Sequence, residues 1–158
     1  MLGMELKDFK KEYDEKAKKF KLPSFSELEE NFEIGKAETD DLVLRTVRKV
    51  MMDRIINTLA FLEMLLNPMN APRRYHSYLS TLTAEDTKKI DETYFKLATL
   101  SVKSLEREID YSEKGEAEMI LEVVKVWEGA KPNIREILYK MKQPGNSEGG
   151  KRERSYFG

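Results

Sequence analysis

Two adjacent arginines, the only histidine of the chain and two tyrosines fall within six residues: Arg73, Arg74, Tyr75, His76 and Tyr78. Guanidinium forks bind phosphate and carboxylate through paired hydrogen bonds. A helix opening at Pro72 would add unbonded backbone N–H groups at the same place. The combination reads as an anion or partner site, with Tyr75 and Tyr78 placed to stack on a base or line a pocket. Cations in a first helical turn oppose the helix dipole, at roughly a few tenths of a kcal/mol each, so their presence needs a reason. The plainer alternative is that both arginines pair with carboxylates of the same chain while the tyrosines pack.

Other chemistry is poorly supplied. Ser77 and Ser80 lie near His76, but no Gly-x-Ser-x-Gly elbow exists, so no catalytic residue is expected. A carboxylate-bridged metal pair in a helical bundle needs Glu-x-x-His on two helices, and the residue three before the single histidine is Arg73. No metal and no cofactor is therefore expected. Asp53 and Glu63, within an apolar helix pattern, are the best candidates for buried acids, with Arg54 and Asn57 close by to satisfy them. The acidic run Glu106, Glu108, Asp110, Glu113, Glu116, Glu118 and Glu122 reads as a solvated face, as does the basic run Lys16, Lys18, Lys19 and Lys21.

The elements that must position these residues are helices. Leu6, Phe9, Tyr13, Ala17 and Phe20 step by three and four, which predicts a helix over about 4–21, ended by Pro23. Ser24 with Glu27 is a capping box for a short helix stopping near Gly35. Thr39-Asp40-Asp41 opens a long third helix to about Leu66, apolar around more than half its circumference. Leu79 and Leu82 give the connector a short turn. Thr83 with Asp86 caps a segment over about 84–112, with a stripe of Ile90, Tyr94, Leu97, Ala98, Ser101, Leu105 and Ile109. Gly115 bends or breaks the chain, and Gly129 with Pro132 marks another break before a last helix. No segment alternates with period two. The expectation is an all-α bundle of about five principal helices plus two short ones, in one domain over residues 1–142, followed by a flexible tail over 143–158.

That tail carries Lys151, Arg152 and Arg154, then Tyr156 and Phe157. It reads as candidate contacts to phosphates or to a partner's groove. The chain has 158 residues, 36% of them charged, with a formal net charge of −1, which argues against a surface that attracts polyanions everywhere. The absence of cysteine excludes disulfides and thiolate chemistry. Abundant Lys and Glu beside one histidine match the composition of hyperthermophile proteins, so a thermophilic, archaeal source is expected. No window has the length of a membrane span and the start lacks a signal-peptide core, which points to a cytoplasmic protein without a membrane partner.

The order of helix, connector, then Leu82-Thr83-Ala84-Glu85-Asp86 opening another helix is similar to the helical domain of the archaeal GINS replication proteins. The likeness covers about a third of the chain, through capping residues. The small β domain common in that family has no counterpart here, and no function or site residue is carried over.

These features are those of a non-enzymatic helical interaction module, a scaffold, adaptor or subunit whose partner is another protein or a second copy. Met51, Met52, Met64, Met69 and Met119 would supply adaptable surface, and the broad apolar face of the third helix would receive a partner helix. The alternative is a nucleic-acid-associated accessory protein that uses the Arg73–Tyr78 connector and the basic tail. A third reading is an enzyme that binds an anionic small molecule at the connector.

Overall fold

A computed structural model describes residues 4–38 and 41–143. The described residues form an all-α fold of six α-helices: α1 (Leu6–Phe20), α2 (Phe25–Phe32), α3 (Val43–Leu66), α4 (His76–Leu79), α5 (Ala84–Ile109) and α6 (Glu113–Met141). Short 3-10 turns lie at Ile34–Lys36, Pro68–Asn70 and Arg73–Tyr75. Thr39, Asp40 and residues 144–158 lie outside the described residues, and with them Lys151, Arg152, Arg154, Tyr156 and Phe157. The chain divides into two compact units, Met1–Asn57 with Thr99–Val126, and Thr58–Ala98 with Trp127–Gly158.

In the first unit, Phe9, Tyr13 and Ala17 on α1 are buried with Phe25, Leu28 and Phe32 on α2. Phe9 and Phe25 meet edge to face at 5.6 Å between centroids, the arrangement favoured by ring quadrupoles. Lys21 closes α1 in the left-handed conformation, its N–H returning to Ala17 O. The Tyr13 hydroxyl donates to Pro23 O at 2.7 Å, and Asp14 accepts from the Phe25 N–H at 3.1 Å. Both bonds lock the turn between the two helices. Ser24 caps α2 through the Glu27 N–H, as its spacing predicts.

The stop of α2 differs from the expectation. Glu33, not Gly35, takes the left-handed conformation, at φ 53°. Gly35 lies in the following 3-10 turn, where its N–H donates to Glu29 Oε2 at 2.6 Å. A Cβ there would stand 3.0 Å from that oxygen, so the glycine serves close approach and not an unusual φ. Further along, Val43, Leu44, Val47, Met51, Met52 and Ile55 bury the inner face of α3, while Met119, Ile120 and Val123 bury that of α6.

In the second unit, Leu62, Leu65, Ala71, Ile90, Leu97, Trp127, Ala130, Ile137 and Met141 are buried. Thr83 and Asp86 form the expected reciprocal cap of α5, with N–H bonds of 2.9 Å and 3.1 Å. Asp86 is buried and also accepts from Lys140 Nζ at 2.5 Å, which joins the start of α5 to the end of α6.

The break expected at Gly129 and Pro132 is absent, because α6 runs unbroken for 29 residues with Pro132 inside it. Proline lacks the N–H that would bond one turn back and usually kinks or ends a helix. Here Trp127 and Ala130 on one side and Ile137 and Met141 on the other are all buried. Packing on both sides of the proline outweighs its local cost.

Candidate functional site

The centre of the first unit holds a charge cluster. Arg48 is fully buried on α3, between Leu44 and Met51 on the same face. Its Nε donates to Glu116 Oε2 at 2.7 Å and its Nη2 to Glu116 Oε1 at 3.2 Å. Nη1 reaches Ser104 Oγ at 2.8 Å, and Nη2 also reaches Glu108 Oε1 at 2.9 Å. Glu108 in turn accepts from Arg45 at 2.9 Å, with Lys49 at 3.8 Å. Burial works against the Arg48 charge, but its hydrogen bonds to Glu116 and Glu108 more than reverse it and the net shift is upward. Burial likewise opposes the Glu108 charge, and the bonds from Arg48 and Arg45 prevail and hold its carboxyl below the ordinary value. Every polar atom of this guanidinium that the geometry reaches is matched, so the cluster is a structural tie and not a site awaiting a ligand.

The tie fixes how α5 is rotated. Ser104 and Glu108 must face Arg48, and Leu100 beside them is buried. At about 100° per residue the apolar side chains Val102, Leu105 and Ile109 then lie roughly 130° round the helix from that inner face. They are 61%, 62% and 80% exposed. The expected stripe is therefore corrected at its end: Leu105 and Ile109 point outward, and the buried line runs through Ile90, Thr93, Leu97, Leu100 and Ser104. A helix with a second apolar face opposite its packed one has surface suited to a partner.

Other expectations about docking surface change with it. Met51, Met52 and Met119 belong to the core, and only Met69 among the five methionines is fully exposed. Within the first unit the large apolar residues of α3 are covered by their own chain, with Ile56 the half-exposed exception. Asp53 and Glu63 are exposed, while the buried acids are Glu116 and Asp86. The acidic run is only partly a solvated face. Glu113 pairs with Lys16 at 2.7 Å and Lys19 at 3.3 Å, so the basic run of α1 and the acidic run meet within one molecule. Glu122 pairs with Lys103. Gly115 lies within the first turn of α6 and not at a break; a Cβ on it would stand 1.8 Å from Arg107 Nη1.

The sequence carried a signal for the buried tie. Arg48 stands four residues after Leu44 and three before Met51, inside the apolar stripe of α3, where an arginine cannot reach water without leaving its face.

The connector residues are brought together along two short turns at the surface. Arg73, Arg74 and Tyr75 form one 3-10 turn, and His76 and Tyr78 lie on the four-residue α4 that follows. Arg73, Arg74, His76 and Tyr78 are exposed and Tyr75 is half-buried. The Arg74 guanidinium lies 5.1 Å from the Tyr75 ring centroid. His76 Nε2 is 3.2 Å from Ala71 O. Among the described residues neither arginine pairs with a carboxylate. The turns are too short to sum a helix dipole, so an anion held there would rest on the guanidinium groups alone.

Among the described residues no group of three acidic or histidine side chains could hold a metal ion. No described helix is long and apolar enough to cross a membrane. Comparison with family models, curated proteins and solved structures finds no match to this chain.

Proposed function

We propose that this chain is a non-enzymatic helical interaction module whose docking surface is the outer face of α5. One observation carries the reading: Val102, Leu105 and Ile109 are all more than three-fifths exposed on the side of the helix turned away from the Arg48 tie. Scattered exposed apolar residues need no explanation, but a line of them at three- and four-residue steps is the pattern of a helix face that a partner helix covers.

The experiment is a comparison of the parent with Leu105→Glu and Ile109→Glu. Both positions are exposed, so the variants should keep helical circular dichroism and thermal midpoint while losing the complexes that the parent forms. Complexes unchanged in both folded variants would refute the reading.

A second reading has its own observation. Arg73 and Arg74 are exposed cations with no carboxylate partner among the described residues, beside two tyrosines, as a nucleic-acid accessory protein would need. Binding of a single-stranded oligonucleotide that weakens steeply with salt and is lost in Arg73→Ala/Arg74→Ala would support it. Binding that survives the double substitution would exclude the connector.

A further inference from the structure

We infer that the connector joining α3 to α5 binds a single nucleic-acid strand of any sequence, with a phosphate on each of Arg73 and Arg74 and a base on Tyr78. The inference rests on the second reading above and narrows its ligand.

The formal net charge of −1 hides an uneven distribution. Met1–Asn57 with Thr99–Val126 carries sixteen Lys and Arg against twenty Asp and Glu, whereas Thr58–Ala98 with Trp127–Gly158 carries twelve against nine. Inside the second, basic unit, residues 64–84 contain no Asp or Glu. In a chain of 158 residues with 29 acids this is the longest acid-free run. Its charges are Arg73 and Arg74, joined by His76 when that ring is protonated, so a polyanion meets attraction from this segment without repulsion.

The turns hold these groups in place. The Tyr75 N–H donates to Pro72 O at 2.9 Å, and Thr81 Oγ to Tyr78 O at 2.7 Å. The Arg74 guanidinium stands over the ring of half-buried Tyr75, 5.1 Å from its centroid. An arginine attracted to a ring face keeps N–H groups that can fork onto a phosphate. Tyr78 is 38% exposed and offers an aromatic surface on which every base can stack.

Size selects the single strand. A duplex is read by an α-helix or β-ribbon laid in a major groove about 12 Å wide. The four residues of α4 span only about 6 Å, and the turn before it has three residues. A single strand brings its phosphates and unpaired bases to a surface this small. Two phosphates and one base make a weak site, with a dissociation constant no tighter than about 0.1 mM.

The test titrates the full chain, labelled for amide NMR, with oligothymidylate, oligouridylate, a DNA duplex of equal length and inorganic phosphate, at salt from about 50 to 200 mM. Amides of residues 73–78 should shift with both single strands at lower concentration than with the duplex. Arg73→Ala and Arg74→Ala should each flatten the plot of log K against log salt by about 0.7, the share of one phosphate on a single strand. Tyr78→Ala should weaken binding at least about fivefold and leave that slope unchanged, because a stacked base releases no counterion. All three side chains are exposed, so the variants should stay folded. Slopes unchanged in both arginine variants would overturn the phosphate contacts. Inorganic phosphate binding as well as the strands would overturn the base contact. Tighter binding of the duplex would overturn the single strand and leave the second reading standing, whereas no shift with any nucleic acid would end both.

Discussion

Arg48 and Glu116 form a two-point pair, Nε to Oε2 at 2.7 Å and Nη2 to Oε1 at 3.2 Å, with side chains 2% and 0% exposed. Breaking one side of such a pair leaves a charge stranded away from water. Arg48→Met should therefore destabilise the fold by about 3–5 kcal/mol. Replacing Arg48 and Glu116 together by apolar residues should cost much less, because no unpaired charge remains. Chemical denaturation of the two single variants and the double variant measures this, and equal losses in all three would contradict it.

Acid should weaken the fold through the paired carboxylates. The Lys16 hydrogen bond lowers the Glu113 pKa. Burial opposes the charges of Glu108 and Asp86, yet Arg48 and Lys140 respectively bring both below their ordinary values. A carboxyl lowered on folding contributes stability above its unfolded value, about 4, and loses it as pH falls through the folded one. The Lys16 and Lys140 pKa values are raised by their carboxylate partners, so their contribution is present below about 10.5 and lost above it. The thermal midpoint should be flat from about pH 5 to 9, fall below about pH 4.5, and fall again in strong alkali. A midpoint rising between pH 5 and 3 would contradict these pairings.

Asp86 caps α5 and holds Lys140 of α6. Asp86→Ala removes both, and should cost about 1.5–3 kcal/mol, the scale of hydrogen bonds to a charged group. Thr83→Ala, which removes only the hydroxyl half of the cap, should cost less. The two values come from thermal or urea unfolding, and the reverse order would count against the Lys140 contribution.

Pro132 is tolerated in α6 because its neighbours are packed, not because the position favours proline. The residue is exposed. Pro132→Ala restores a missing N–H and should stabilise the protein by up to about 3 kcal/mol. A lower thermal midpoint in this variant would mean that the proline has a role the packing does not reveal.

How much of this was legible in the sequence depended on range. Ser24 with Glu27 and Thr83 with Asp86 are read directly, because a cap is a contact over three residues. The all-α character follows from periodicity. The end of α2 at Glu33 and the continuity of α6 through Pro132 were not legible, since packing between distant residues overrides local preference there. The connector cluster was visible as residue types, but not that Arg73 and Arg74 have no carboxylate partner among the described residues. The outward face of α5 was misassigned for a specific reason. Leu105 and Ile109 continue one apolar line from Ile90, while the true inner line passes through the polar residues Thr93 and Ser104. Only Arg48, more than fifty residues away in sequence from Ser104, selects between the two lines.

The outer face of α5, with Val102, Leu105 and Ile109 exposed, is the docking surface we propose. Its most direct measurement is light scattering behind size exclusion on the parent and on Leu105→Glu, run over a wide concentration range and again after purification of each from the cells that make it. Every complex of the parent should be lost or weakened more than about tenfold in the variant, which keeps its helical spectrum and thermal midpoint. Complexes of equal mass and strength in parent and folded variant would contradict it.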